Sequence, residues 1–245
     1  MVIDIHSHIL PGIDDGSKNS KQSVAMLRME AQQGISQVVA TPHFYAGRST
    51  PQEFLEKRDK AEARLRREMA KHSGLPQLYV GAEVSFFRGM SDSELLPQLA
   101  IRGTRCILIE LPPPPWSDAV YRELEAVWQK QGLTPIIAHI DRYVRPLRTY
   151  KIPQKLARLP VLVQANASFF LRAATAGMAL RMLKKGQIHL LGSDCHNTSS
   201  RSPNLGAAAA RIREKLGEDQ LRKIREYEAS ALSLLPEEKV TQRQP

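Results

Sequence analysis

Short apolar runs in this chain repeatedly end on a histidine or a carboxylate. Residues 2–5 lead to His6 and His8, residues 38–40 to His43, and residues 136–138 to His139. Residues 78–82 lead to Glu83, residues 106–109 to Glu110, and residues 188–192 precede Asp194 and His196. A titratable group at the end of each buried strand predicts one rim of a parallel barrel, where strand ends converge and catalytic groups gather. His6 and His8, two apart on an extended segment, project to the same side. Imidazoles joined by carboxylates suit borderline ions such as Zn²⁺, Mn²⁺ or Fe²⁺. A lone His-x-His would be weak evidence. Glu83 and Glu110 are stronger, because a carboxylate at the end of a buried strand is costly unless it is paired or metal-bound. The competing explanation for each is a salt bridge to a helix Arg or Lys. The pattern favours a polynuclear metal site.

The elements that must position these groups alternate along the chain. Strand candidates cover residues 2–5, 37–40, 78–82, 105–111, 134–138, 161–165 and 188–192, separated by helical segments, which predicts βαβ units and a parallel sheet. Thr50-Pro51-Gln52-Glu53 combines an N-cap, a proline at the first helical position and a capping-box glutamate. Phe54, Ala61, Leu65 and Met69 then repeat at helical spacing towards Gly74. Ser117 opens a second helix whose Val120, Leu124, Val127 and Trp128 form an apolar stripe before Gly132. Both stripes are expected to face the core. Pro112 to Pro115, followed by Trp116, predicts a stiff turn after the Glu110 strand. The 245 residues suit one α/β domain over residues 1–235, with a polar, frayed tail over 236–245.

Composition narrows the class. No signal-peptide pattern precedes the first strand, and no apolar stretch is long enough to span a bilayer, so a cytoplasmic protein without membrane insertion is expected. Cys106 and Cys195, the two thiols, are expected to be reduced. The net charge of +10 sits on predicted helices over residues 51–73 and 204–228 and on the stretch 142–158. Acidic residues interleave throughout, which predicts solvated helix faces with a general preference for anions and not a nucleic-acid groove.

Asp4-Ile5-His6-Ser7-His8-Ile9-Leu10-Pro11-Gly12-Ile13-Asp14-Asp15-Gly16 resembles the opening motif of the polymerase-and-histidinol-phosphatase (PHP) family. It is similar in particular to the metal-dependent protein-tyrosine phosphatases of bacterial capsule and exopolysaccharide loci. Thr41-Pro42-His43, Gly81-Ala82-Glu83, Ile109-Glu110, His139 with Arg142, and Ser193-Asp194-Cys195-His196-Asn197 followed by Arg201 continue the likeness in family order. The resemblance implies a distorted (β/α)7 barrel, TIM-like, holding three divalent ions, with manganese expected and iron or zinc as alternatives. Carried over by position, His6, His8, Glu83 and Asp194 would hold the first ion. Glu83, Glu110 and His139 would hold the second, and Asp15, His43 and His196 the third. Asp14 receives no metal. Ile140-Asp141 stands where the family usually has Pro-Glu, which puts the shape of that loop in question.

On that ligand set, four carboxylates against three divalent ions leave a formal charge of about +2, which favours a phosphate dianion and its transition state. The expected reaction is hydrolysis of phosphotyrosine by a metal-activated hydroxide, with Arg142 and Arg201 gripping phosphate oxygens through paired N–H donors. The implied partner is a membrane-bound bacterial tyrosine autokinase that regulates polysaccharide synthesis; no nucleic acid is expected. Alternatives are a small monoester such as histidinol phosphate, a nucleic-acid substrate, or a module that binds phosphoproteins without hydrolysing them. Cys195 and Arg201 also fit C-x₅-R, the spacing of thiol-based tyrosine phosphatases. The loop between them has no glycine to cradle phosphate, and Cys195 is flanked by two residues the metals need, so we read the spacing as coincidental. His72 is expected at a helix end on the surface, and His189 on a strand outside the site. Phe44, Tyr45, Phe86 and Phe87 could wall a phosphotyrosine ring or simply pack locally.

Overall fold

The computed structural model describes residues 3–144 and 151–232. Strands form where the apolar runs predict them: β1 (Asp4–Ser7), β2 (Gln37–Ala40), β3 (His43–Phe44), β4 (Gln77–Val80), β5 (Glu83–Ser85), β6 (Cys106–Glu110), β7 (Thr134–Ile137), β8 (Leu162–Asn166) and β9 (Leu190–Gly192). Two are interrupted positions. β2 and β3 are split by Thr41-Pro42, where proline has no N–H to give a ladder, and β4 and β5 by Gly81-Ala82. The nine segments therefore make seven strand positions among the described residues. β1 pairs with β2 and β2 with β4, while β3-β5-β6-β7-β8-β9 forms the longer sheet, and every ladder is parallel.

Backbone hydrogen bonds cross the interruptions and close the ring. Gly81 N–H donates to the Ala40 carbonyl at 2.9 Å and Glu83 N–H to the Pro42 carbonyl at 3.0 Å. Beyond β9, Asp194 N–H donates to the His6 carbonyl at 2.8 Å and His8 N–H to the Cys195 carbonyl at 2.9 Å. A parallel bridge between Ser7 and Cys195 completes the seam. The distorted seven-position barrel expected from the sequence is thus formed, and its closing seam is also where four site residues lie.

The helices α1 (Ser20–Gln32), α2 (Pro51–Met69), α3 (Asp118–Gln131), α4 (Ile152–Leu156), α5 (Ala167–Leu171), α6 (Ala173–Lys184), α7 (Leu205–Leu216) and α8 (Glu218–Ala231) connect or follow the strands. The β5–β6 connection uses only two 3₁₀ turns, Met90–Asp92 and Leu96–Leu99. The Thr50/Glu53 capping box of α2 forms in both directions, contributing about 1 kcal/mol. Phe54, Ala61 and Leu65 are buried, whereas Met69 is only partly so. Trp128 corrects the expected α3 stripe: Val120, Leu124 and Val127 are buried, but Trp128 is 47% exposed. It lies one residue, about 100° of helical rotation, past Val127 and leaves the core face. The single helix expected over 204–228 is also two helices, because Gly217 takes φ +84 and redirects the chain.

Side-chain alternation sorts the core. On β6, Ile107 and Ile109 join Leu27, Leu65, Leu124 and Leu183 in the main cluster between strands and helices. Leu108 points the other way, with Ile5, Val39, Ile136 and Leu190, and Glu110 shares its face of the strand. The turn after β6 is pinned where Trp116 Nε1 donates to the Pro112 carbonyl at 2.6 Å. The basic helix faces carry interleaved ion pairs, such as Arg66–Glu62 and Arg222–Asp219, as the composition suggests. The tail expected over 236–245 and residues 145–150 of the basic stretch lie outside the described residues. No described helix is long and apolar enough to cross a membrane.

Candidate metal centre

The barrel brings five of the chain's seven histidines to one place. His6 lies within β1 and His8 just past it; His43 opens β3, Glu83 opens β5 and Glu110 ends β6. His139 follows β7, and Asp194 and His196 follow β9. Glu83 is the hub. His6 Nε2, His8 Nε2 and His43 Nδ1 lie 3.3, 3.2 and 2.9 Å from its Oε2, and His139 Nε2 lies 2.7 Å from its Oε1. Glu110 Oε1 is 3.5 Å from His139 Nε2, and Asp194 Oδ1 is 3.8 and 3.5 Å from the Nε2 atoms of His6 and His8. Asp15 Oδ1 stands 3.4 Å from both His43 Nε2 and His196 Nε2. All nine side chains singled out in the sequence are therefore neighbours.

Three subsets place ligand-type atoms within 4.8 Å of one another: His6, His8 and Asp194; His43, Glu83 and Glu110; and His8, Asp15, His43 and His196. This grouping differs from the partition the resemblance implies: it brings His43 to the second set and His8 to the third, and leaves Glu83 out of the first and His139 out of all three. The donor set fits divalent cations. Glu83 Oε2 and His196 Nε2 are buried and have no hydrogen-bond partner, although imidazoles and carboxylates crowd around them. Buried nitrogen and oxygen donors facing a shared volume without satisfying one another suit ions of borderline softness. His139 and Asp194 also hold left-handed backbone, φ 31 and φ 52. Non-glycine residues rarely do so, at a cost of about 1–3 kcal/mol, and such strain clusters at functional sites.

Electrostatics in the metal-free chain follow from crowding. Burial disfavours charge on His8, but Asp14 and Glu83 outweigh it and push its pKa up to about 10. Burial acts likewise on His139, where Glu110 and Glu83 prevail and the value rises to about 9. His196 goes the other way, down to about 4, through burial and the nearby His8. Burial would raise Glu83, yet the imidazoles of His6, His139 and His43 hold it well below the usual carboxylate range. Asp194 is likewise held far down against burial by His6, His8, Arg142 and Arg201.

A supporting layer orients these groups, and sequence reasoning left most of it out. Asp14, to which no metal was given, accepts from His8 Nδ1 at 2.7 Å and from the His43 backbone N–H at 3.1 Å, fixing two rings at once. Gly16 lets this loop close on His8, since a Cβ there would lie 2.1 Å from the His8 carbonyl oxygen. Gln164 Oε1 sits 3.3 Å from His6 Nδ1 and accepts from the His139 backbone N–H. Asn166 donates to Asp194 Oδ2 at 3.0 Å. Asp4 accepts from Ser193 N–H and from Ser193 Oγ, tying β1 to the exit of β9. Gln164 and Asn166 lie on β8, whose run ends in amides and so carried no titratable signal. At the departure from the family pattern, residues 140–142 form a 3₁₀ turn, and Asp141 Oδ1 accepts from Asn166 N–H at 3.0 Å.

Arg142 Nη2 lies 2.7 Å from Asp194 Oδ2, and Arg201 Nη2 lies 2.8 Å from Asp194 Oδ1. The two guanidiniums thus flank one carboxylate of the cluster. Cys195 is wholly buried and burial drives its thiol well above the ordinary value, the opposite of a nucleophilic cysteine. Phe44 packs against Phe54 in the core, and Phe86 and Phe87 are partly buried against it. Tyr45 lines a cavity at the site, with its ring tilted on His43 at 5.3 Å. His72 contacts Arg28 on the surface, and His189, just before β9, meets the Tyr227 ring edge to face. Both are outside the centre.

Residues 2–233 match the family described as capsular polysaccharide synthesis, CpsB/CapC. The tyrosine-protein phosphatase YwqE of Bacillus subtilis (strain 168) is 30% identical over 229 residues, covering 89% of this chain and 86% of the relative. The tyrosine-protein phosphatase CpsB of Streptococcus pneumoniae is 28% identical over 233 residues, covering 91% and 94%. A solved structure from work on those two proteins, described as unique metal-dependent tyrosine phosphatases, superposes with a TM-score of 0.81 at 25% identity, covering 96% of both chains. A zinc-containing histidinol phosphate phosphatase from Lactococcus lactis shares the fold at a TM-score of 0.54 and 15% identity. The chain belongs to the CpsB/CapC capsular polysaccharide synthesis family.

Proposed function

We propose that this chain is a metal-dependent protein-tyrosine phosphatase whose nine clustered side chains hold three divalent ions, manganese before iron or zinc. The observation that carries this reading is Glu83, whose carboxylate meets four imidazoles at 2.7–3.3 Å while two arginines stand over the neighbouring Asp194. His6, His8, Glu83 and Asp194 would hold one ion, Glu83, Glu110 and His139 a second, and Asp15, His43 and His196 a third. Bound ions would supply Lewis acidity and water acidified towards neutrality. Arg142 and Arg201 bind and orient the phosphate through charge-assisted hydrogen bonds, exchanging their contacts to Asp194 for phosphate oxygens. Asp14, Gln164 and Asn166 keep the ligand rings and Asp194 in register. A tyrosine phenolate, with a parent pKa of about 10, leaves with less proton assistance than an aliphatic alkoxide. That suits a site whose His6, His8, His43 and His139 lie against the Glu83 carboxylate. Family membership points to a tyrosine autokinase of capsule synthesis as the physiological partner.

The test is turnover by metal-loaded protein on a phosphotyrosine peptide, histidinol phosphate and single-stranded DNA. Preferential release of phosphate from the peptide is expected. Preference for either alternative substrate, or phosphopeptide binding with no phosphate release, would overturn the proposal.

A further inference from the structure

Beside the centre lies a cavity of about 430 Å³ lined by Ile13, Asp14, Asp15, His43, Tyr45 and Arg48. Its inner wall is shared with the candidate metal site through Asp15 and His43. Its outer wall is Tyr45, and the Arg48 guanidinium lies 4.7 Å from the centre of the Tyr45 ring. Tyr45 faces the site, its ring lying 5.3 Å from that of His43 on the shared cavity wall. The turn that carries Arg48 is closed by its N–H donating to the Tyr45 carbonyl at 2.9 Å. Stacking on an aromatic face orients a guanidinium while leaving its N–H edge open. Among the described residues Arg48 has no carboxylate within 4.0 Å, unlike Arg142 and Arg201.

We propose that Arg48, held by Tyr45, is a specificity-determining residue that pairs with an acidic side chain flanking the phosphotyrosine of a protein substrate. Arg201 reaches the cavity's inner wall, its Nη1 3.8 Å from Asp15 Oδ2, so a phosphate held there would send its aromatic ring outward along Ile13 and Tyr45, with the flanking residues beside Arg48. Asp14 and Asp15 are committed to His8 and to the His43/His196 pair, so the remaining charge on the outer wall is positive. This role presupposes the phosphotyrosine hydrolysis proposed above.

The experiment compares kcat/KM of the metal-loaded full chain on three phosphotyrosine peptides that differ only in Glu, Ala or Lys flanks. The native chain should favour the Glu peptide over the Ala peptide by about threefold to fivefold, the effect of one exposed ion pair. Salt should weaken that preference. Arg48→Ala should bring the ratio to about one, and Arg48→Glu should invert it in favour of Lys flanks. Ratios within one preparation cancel differences in folding or metal content. Equal turnover of the three peptides by the native chain, or a ratio unmoved by Arg48→Glu, would overturn the Arg48 assignment and leave the phosphatase proposal standing. No turnover of any peptide would instead overturn the phosphatase proposal itself.

Discussion

Loading the centre with metal should release protons, in a number set by two histidines. In the metal-free chain His8 and His139 titrate at about 10 and about 9, because the carboxylates meant for cations hold protons on the rings instead. A ring that ligates metal must be neutral. At pH 7 the neutral forms cost about 4 kcal/mol for His8 and about 3 kcal/mol for His139, from the conversion of pH units to free energy. His196, at about 4, is neutral already and adds no proton. Loading that engages both rings should therefore release about two protons at pH 7. The apparent affinity should also rise by about two orders of magnitude per pH unit between pH 7 and 9. Titration calorimetry of chelator-stripped protein in two buffers of different ionisation enthalpy gives the proton count directly. The stability of the metal-free chain has the matching sign. Its raised histidine pKa values contribute fully below about pH 6.5, and the contribution is lost as pH rises through 9 and 10. A release of less than one proton, or an affinity independent of pH, would refute the reasoning.

Arg142→Ala and Arg201→Ala should each lower kcat/KM on a phosphotyrosine peptide by about tenfold to a hundredfold, the loss of one charge-assisted contact. An unchanged value for either would remove it from phosphate binding. Cys195→Ser should retain most activity, since the thiol is wholly buried and its pKa is raised. A loss as large as that of His8→Ala would contradict the metal mechanism. Glu228 is buried, and burial pushes its pKa up to about 8 against an opposing backbone hydrogen bond from Ile3. The folded chain then binds the extra proton, so stability falls as pH rises from about 4.5 to 8. Glu228→Gln should thus stabilise by about 1–3 kcal/mol at pH 7 and by little at pH 4, read from thermal melts. No gain at pH 7 would refute it.

The ligand-bearing half of the site was legible because buried strand ends carrying His or Glu are conspicuous against aliphatic runs. His6, Glu83 and Glu110 needed only alternation and burial cost to be noticed. Asp15 lies in a loop with no strand to mark it and came only through family likeness. Gln164, Asn166 and Asp4 stayed hidden for a different reason. Amides on a strand and an acid two residues before a histidine have no spacing that separates support from ordinary polarity. Trp128 was misplaced because an apolar residue next to a helix stripe is not on it, and Gly217 because one residue of positive φ suffices to split a helix.

The claim beneath all of this is that nine side chains separated in sequence enclose a cluster of cations. Anomalous diffraction from crystals loaded with manganese tests it most directly. The account predicts three peaks: one among His6, His8, Glu83 and Asp194, one among Glu83, Glu110 and His139, and one among Asp15, His43 and His196. Crystals with manganese in solution and no anomalous peak at these residues would contradict it.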